Sequence, residues 1–142
     1  MNNDEMVARQ ILILGRKIKQ RRNLHIQDLN LTTGQADALK YFADHPGRTI
    51  AMFKDYQEIT HQTARVIVQH LVKLGVVVLT PNPADGRAKL VTVTALGTKK
   101  RAQLSQHGWQ TSRELFTDFT PAEQQQFLAL LRRANVNLER NE

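Results

Sequence analysis

The stretch THQTARVIVQHLVKLGVVVLTPNPADGRAKLVTVT, residues 60–94, predicts a helix followed by a two-stranded hairpin. Apolar residues recur at helical spacing between residues 61 and 74 and share one face: Ala64, Ile67, Val68, Leu71 and Leu74. Thr60 can cap this helix at its start, and Gly75 stands where a left-handed residue often ends one. Two apolar runs at 76–79 and 90–94 predict the strands, because residues 81–86 between them are prolines and polar turn formers.

The other face of the helix carries side chains suited to a DNA major groove. They are Gln62, Thr63, Arg65, Val66, Gln69 and Lys73. Glutamine and arginine form paired hydrogen bonds with base edges, and the methyl groups of valine and threonine contact thymine methyls. His61, at the helix start, is a candidate for a phosphate contact. Every surface helix has a polar face, so an ordinary solvated face is the alternative.

The hairpin tip is basic and carries the motif Asp85-Gly86-Arg87. An arginine at the tip fits a narrow minor groove, where the negative potential is enhanced, and Lys89 adds a second cation for a groove or a phosphate. Asp85 either holds the turn or orients Arg87 through a charge-assisted hydrogen bond. A solvated surface ion pair, which would contribute little stability, is the alternative. A helix followed by a basic hairpin is typical of winged helices, which favours DNA binding.

Residues 30–100 resemble the MarR family of bacterial winged helix-turn-helix transcription regulators. The resemblance is carried by 71–75 followed by Val76-Val77, by Asp85-Gly86-Arg87, by Val93-Thr94 with Gly97 close behind, and upstream by Leu31-Thr32, Gln35 and Pro46-Gly47. It implies a fold that is mainly α with a small β-hairpin wing (α+β), made of a winged helix-turn-helix core with N- and C-terminal dimerisation helices. Three positions depart from the family pattern: Val66 stands where a basic residue is common, Lys54 where a small residue is frequent, and Glu58 where glycine is frequent.

The resemblance also implies an organisation and a function. A single MarR-like domain would span 1–142, with a winged-helix DNA-binding lobe at 30–100 and dimerisation helices at 4–26 and 105–140. The partners would be double-stranded DNA, a second copy of the chain and an unknown small-molecule effector. The function would be sequence-specific transcriptional regulation by a homodimeric repressor that binds a palindromic operator and is released by the effector. A non-specific architectural DNA-binding protein and a winged-helix protein-interaction module are the alternatives.

Both ends of the chain predict amphipathic helices. Over residues 4 to about 24 the apolar stripe consists of Val7, Ile11, Leu14 and Ile18. Near the other end, Thr120-Pro121-Ala122-Glu123 is a capping box, followed by a stripe of Phe127, Leu131, Ala134 and Leu138. These stripes either pack within one chain or are buried against a second copy across a twofold axis. The second arrangement would set two recognition helices ~34 Å apart, as a palindrome requires.

Three further helices are predicted between these ends. The second helix starts at a capping box of Thr32 and Gln35 and stops at His45-Pro46-Gly47, and its inward residues are Ala36, Leu39, Phe42 and Ala43. The third, about residues 50–57, braces the recognition helix from behind, with Ile50, Phe53 and Tyr56 inward. The fifth starts near Ala95, with Thr94 as its cap.

The net charge of +7 is concentrated in the winged-helix region. Residues 61–101 hold seven of the basic residues and one acid, Asp85, so six of the seven surplus charges lie there. The seven are Arg65, Lys73, Arg87, Lys89, Lys99, Lys100 and Arg101. This clustering favours a polyanion partner over a basic surface kept for solubility.

Composition bounds the class and location of the protein. Its 142 residues suit one domain. No apolar run approaches the ~20 residues of a membrane span, and the N-terminus lacks the order of a signal peptide, so we expect a cytoplasmic protein without membrane association. The absence of cysteine excludes disulfides and thiolate metal sites. The histidines lack metal-site spacing and the two serines lie in no nucleophile motif, so we expect no metal, no cofactor and no enzymatic activity.

Overall fold

The computed structural model describes residues 2–139, and within them the chain forms six helices and one hairpin. The elements are α1 (Asn3–Asp28), α2 (Thr33–Asp44), α3 (Ile50–Gln57), α4 (His61–Lys73), β1 (Val77–Pro81), β2 (Lys89–Val93), α5 (Ala95–Leu115) and α6 (Pro121–Glu139). The strands pair antiparallel, from Val77 opposite Val93 to Pro81 opposite Lys89. The mainly α fold with a small hairpin is confirmed. The predicted boundaries at residues 1, 140 and 142 lie outside the described residues.

Helix starts follow the predicted caps. In α2 the Thr32 hydroxyl oxygen accepts a bond from the Gln35 amide at 3.2 Å, and the Gln35 side chain accepts one from the Thr32 amide at 3.1 Å. In α6, Thr120 and Glu123 make the same reciprocal pair at 3.1 and 2.9 Å. These caps satisfy amide hydrogens that have no partner within the helix.

Contacts divide the chain into two compact units, Met1–Gly108 and Trp109–Glu142. The core of the first unit comes from α2, α3, α4 and the hairpin, and its fully buried side chains include Leu39, Phe53, Ala64, Val68, Leu71, Val76, Val77 and Val91. Two residues predicted to face inward do not. Leu74 directly follows α4 and is 38% exposed. Tyr56 is 65% exposed, with its ring stacked on that of Tyr41 at a centroid distance of 4.7 Å. Both lie in or next to the last turn of a helix, where the buried face gives way to solvent.

The first helix is longer than predicted. It continues past residue 24 to Asp28, because Ile26 is buried in the core and holds the last turn in place. Asn30 then adopts a left-handed backbone with φ 59° and ends the helix. The predicted stripe of α1 remains largely exposed to solvent, with Val7 59% and Ile11 46% accessible.

The second unit contains the end of α5 and all of α6. The rings of Phe116, Phe119 and Phe127 meet edge to face, with centroids 5.2–6.0 Å apart. Trp109 is 72% exposed, and the Arg113 guanidinium lies 5.9 Å from its ring centre. No residue of α6 between Pro121 and Glu139 is buried. None of the described helices is long and apolar enough to cross a bilayer.

Candidate nucleic-acid interface

Helix α4 presents one polar face to solvent and buries the other. Ala64, Val68 and Leu71 are fully buried against the core. The residues predicted to contact DNA from this helix all lie exposed: His61, Gln62, Thr63, Arg65, Val66 and Gln69. Because the buried stripe fixes the rotation of α4 about its axis, the exposed face has one defined orientation.

The start of α4 is held by hydrogen bonds among threonines. The Thr60 hydroxyl oxygen accepts a bond from the Thr63 amide at 3.1 Å, and the same hydroxyl donates to the Thr63 hydroxyl oxygen at 2.8 Å. The Thr63 hydroxyl hydrogen therefore remains available to a ligand. The turn that enters α4 passes through Glu58, whose backbone is left-handed with φ 56° and ψ 46°. Glycine adopts this conformation without strain, so the departure from the family pattern at Glu58 carries a conformational cost.

The tip of the hairpin is held by two side chains that accept from backbone amides. Asp85 accepts from the Arg87 amide at 3.0 Å, and Asn82 accepts from the Ala84 amide at 3.0 Å. Of the two roles predicted for Asp85, the structure therefore contains the turn-holding one. Among residues 2–139 no acidic side chain forms an ion pair with Arg87. Asp85, Arg87 and Lys89 are all exposed at the tip or beside it.

Asn82, which was not among the predicted site residues, also shapes the hairpin tip. Its carbonyl oxygen also accepts a bond from the Asp85 amide at 3.3 Å, so Asn82 shapes the tip from both backbone and side chain. The sequence Asn82-Pro83 could have indicated this role, because asparagine before proline favours a turn.

Hydrogen bonds join the hairpin to neighbouring segments of the first unit. The Thr94 hydroxyl donates to the Gly75 carbonyl at 2.6 Å and accepts from the Gly97 amide at 3.1 Å, so Thr94 caps α5 as predicted. On the other edge, the Val91 amide donates to the Arg48 carbonyl at 2.9 Å, and Thr49 bridges to Leu90. The hairpin is thus attached to the entry of α3 as well as to α5, which fixes its position relative to α4.

Two basic residues counted in the winged-helix surplus serve the fold. The Lys100 ammonium donates to the Leu29 carbonyl at 2.8 Å. Arg101 pairs with Asp44 at 3.3 Å and also donates to the Ser105 hydroxyl. The cations that face solvent near α4 and the hairpin are therefore fewer than the sequence count suggests.

No metal-binding group of three His, Cys, Asp or Glu side chains occurs in the described part of the chain. Arginine, glutamine and threonine on a fixed helix, beside a hairpin tipped by arginine, make an arrangement suited to binding in grooves.

Comparison with protein-family models matches residues 28–88 to the MarR family. Among solved structures, the reduced form of MarR from E. coli is 25% identical, with 89% of this chain and 94% of that chain covered and a TM-score of 0.76. A MepR mutant from S. aureus is 18% identical, with 92% and 97% covered and a TM-score of 0.82.

A second S. aureus MepR mutant, solved bound to an oligodeoxyribonucleotide, is 19% identical, with 97% and 99% covered and a TM-score of 0.71. No significant match was found among curated proteins. The family match covers α2, α3, α4 and β1, and MarR from E. coli shares the fold along most of the chain. Residues 28–88 thus match the MarR family of winged-helix transcription regulators, and the rest of the chain is similar to solved MarR structures in fold.

Proposed function

We propose that this chain is a homodimeric repressor that binds a palindromic DNA site and is released from it by a small-molecule effector. In this proposal residues 30–100 form the DNA-binding lobe, residues 4–26 and 105–140 form the dimerisation helices of a single 1–142 domain, and the protein acts in the cytoplasm. The observation that carries the proposal is the pairing of an exposed polar face on α4 with a hairpin whose basic tip is held by its own side chains.

On α4, the residues that would read bases are Gln62, Arg65, Val66 and Gln69. Gln62 and Gln69 each lie three or four residues from both Arg65 and Val66, so the four lie along one side of the helix and would face the same groove. Gln62 and Gln69 would pair with adenine, Arg65 with guanine, and the Val66 methyls with thymine. Val66 in place of a basic residue reduces the charge on this face, which favours readout of bases over contact with phosphates. His61 and Thr63, at the positive end of the helix, would contact phosphates.

At the hairpin, Arg87 would enter the minor groove and Lys89 would contact the backbone. The Asp85 side chain restrains the backbone of the turn at the Arg87 amide, which reduces the conformational freedom lost on binding. Within residues 2–139 the guanidinium has no acidic partner to give up before it meets DNA. The S. aureus MepR mutant bound to an oligodeoxyribonucleotide supports the transfer, because its fold covers 97% of this chain with a TM-score of 0.71.

The homodimer is supported by apolar surface that one chain leaves uncovered. The α1 stripe is about half accessible at Val7 and Ile11, and Leu138 on α6 is 71% exposed. Soluble monomers rarely expose contiguous apolar stripes of this kind, and a second copy would cover them. Light scattering coupled to size-exclusion chromatography is expected to give twice the chain mass of 16.2 kDa. A strictly monomeric particle would contradict the palindromic mode of binding.

The DNA-binding part is tested by selecting bound fragments from genomic DNA and titrating the best site and a random duplex by fluorescence anisotropy. Arg87→Ala is expected to weaken binding to the selected site and to the random duplex by similar factors. Gln62→Ala and Arg65→Ala are each expected to cost about 1–3 kcal/mol on the selected site and much less on random DNA. Arg9→Ala is the matched control, because Arg9 is exposed on α1 about 200° around the helix from Val7 and its stripe.

Each alternative function gives a different result in the same titrations. An architectural DNA-binding protein would hold random duplex nearly as tightly as the selected site. A protein-interaction module would bind neither duplex in the salt-dependent manner of phosphate contacts. Unchanged affinities for all three α4 and hairpin variants would refute the assignment of these residues. The effector is proposed from the family resemblance, and its test is a screen for compounds that lower affinity for the selected site.

A further inference from the structure

Two histidines distant in sequence stack face to face within the first unit. His25 lies in the last turn of α1 and His107 lies on α5. Their ring centroids are 3.8 Å apart and the ring planes differ by 6°. Neither residue belongs to the proposed DNA interface, so that proposed function does not account for the contact.

Each histidine also bonds to the backbone of the opposite helix. The His25 Nε2 lies 3.1 Å from the Gln103 carbonyl oxygen, and the His107 Nε2 lies 3.2 Å from the Arg21 carbonyl oxygen. A carbonyl oxygen can only accept, so both Nε2 atoms carry hydrogens. In the neutral rings Nδ1 is then unprotonated. The two bonds run in opposite directions, one from each helix, and together with the stack they form a reciprocal link between α1 and α5.

Protonation changes the balance of forces in this link. When both rings are charged, two positive charges face each other at 3.8 Å in a partly desolvated contact, and they repel. Burial lowers the pKa of His107, and the nearby His25 and the Arg21 charge lower it further, whereas the bond to the Arg21 carbonyl and the charge of Asp28 act in the opposite direction.

The other charged groups nearby on α5 are held in bonds of their own. Lys100 and Arg101 lie about two turns before His107 and bond to the Leu29 carbonyl and to Asp44. The acting charges therefore come from α1, and their net effect, added to that of burial, favours a neutral His107.

We propose that His25 and His107 form an acid-sensitive clasp, meaning the stacked pair and its two carbonyl bonds, which joins α1 to α5 when the rings are neutral and is released when both are protonated. The direction with pH follows from linkage. The clasp contributes its full stability above the ordinary histidine pKa of 6.5, and that contribution is lost as the pH falls from there through the lower pKa of His107 in the folded chain.

Release of the clasp would loosen the attachment of α1 to α5. Helix α1 carries the exposed apolar stripe, and α5 begins at the base of the hairpin. The clasp is thus placed to make the attachment of the proposed dimer helix depend on acidity over the range where histidine titrates. It requires neither DNA nor a dimer, so it goes beyond the proposed function and does not depend on it.

The first test measures thermal unfolding of the full chain at about pH 8 and about pH 5, a range that spans histidine titration. The wild type is expected to lose unfolding temperature on acidification, and the double variant His25→Gln with His107→Gln is expected to lose less. Glutamine keeps an amide hydrogen for each carbonyl but does not titrate. His70→Gln, at an exposed position of α4, is the matched control and should behave as the wild type does. An equal loss in the wild type and the double variant would overturn the proposal.

The second test needs no variant and therefore does not depend on a variant's folding. Nitrogen NMR of the histidine rings in the unmodified protein is expected to show the Nε2–H tautomer for His25 and His107 near pH 8. The pair should titrate in two coupled steps, one of them below 6.5. Independent titration of the two rings, or the Nδ1–H tautomer in either, would refute the clasp. Because neither test contains DNA, failure of DNA binding and failure of the clasp are separate results.

Discussion

Replacing Gly97 with alanine is expected to destabilise the chain, although the same change stabilises most helices. Gly97 is the third residue of α5 and is buried against the base of the hairpin. A Cβ at this position would lie 2.1 Å from the Val76 carbonyl oxygen and 2.7 Å from a methyl of Val93. The Val76 carbonyl cannot simply turn away, because it accepts a bond from the Thr94 amide at 3.0 Å.

Three contributions set the expected change in the free energy of unfolding for Gly97→Ala. Overpacking against backbone costs about 1–3 kcal/mol. Lengthening or breaking the bond to the Val76 carbonyl costs about 0.5–1.5 kcal/mol more. Alanine in place of glycine returns at most about 1 kcal/mol of helix propensity, and less in a first turn. The net loss is therefore about 0.5–4.5 kcal/mol.

Urea denaturation followed by circular dichroism measures this loss as a lower midpoint at unchanged slope. The matched control is Gly108→Ala, in the same helix, where a Cβ would meet no atom within 4 Å. That change is expected to raise stability by up to about 1 kcal/mol. If both variants shifted the midpoint in the same direction by the same amount, the close packing of α5 on Val76 would be refuted.

Three further changes test local features of the fold. Glu58→Gly should stabilise the chain by up to about 1 kcal/mol in the same denaturation assay, because it removes a side chain from a left-handed position, whereas Glu58→Ala should give no gain. Thr120→Ala should cost about 0.5–2 kcal/mol through loss of the α6 cap, and Thr120→Ser should retain most of it. Hydrogen bonds from the Thr120 amide and then from its hydroxyl lower the pKa of Glu123, so the stability that the ionised Glu123 carboxylate contributes is present above pH 4.5 and is lost as the pH falls. Glu123→Gln should therefore reduce the loss of stability below pH 4.5 in an acid titration of the folded chain.

Helix starts were predictable because a cap is a local arrangement. Thr32 with Gln35 and Thr120 with Glu123 each satisfy amides within four residues, and no distant residue is needed to form them. The end of α1 was not predictable in the same way. Residues 25–28 extend the helix because Ile26 is buried in the core of the first unit, and the local pattern contains no sign of that packing.

In the candidate site, too, features set by local sequence spacing could be predicted, whereas features set by packing between distant elements could not. The exposed face of α4 follows from the spacing of Ala64, Val68 and Leu71, so its members could be named from the sequence. The stacking of His25 on His107 could not, since it depends on how α1 and α5 pack. The positive φ at Glu58 also escaped prediction, because a glutamate gives no signal for a left-handed backbone.

The basic surplus of residues 61–101 separates into two groups with different consequences. Arg65, Lys73, Arg87, Lys89 and Lys99 face solvent, whereas Lys100 and Arg101 are bonded to Leu29 and Asp44. Each phosphate that the protein neutralises adds about 0.9 to the slope of log affinity against log salt. In the proposed complex the Arg87 charge in the minor groove would also displace about one counterion, so Arg87→Ala should lower the slope by about 1 with little change in unfolding midpoint.

Lys100→Ala removes the same charge and should have the opposite profile. The Leu29 carbonyl would lose its donor, so the unfolding midpoint should fall, while the salt slope should stay near that of the wild type. The comparison separates binding from folding because both variants lower the net charge by one, so a diffuse long-range attraction to DNA would weaken about equally in both. Equal loss of slope in the two variants would mean that the surplus acts as a diffuse field and that the position of Arg87 at the hairpin tip has no special role.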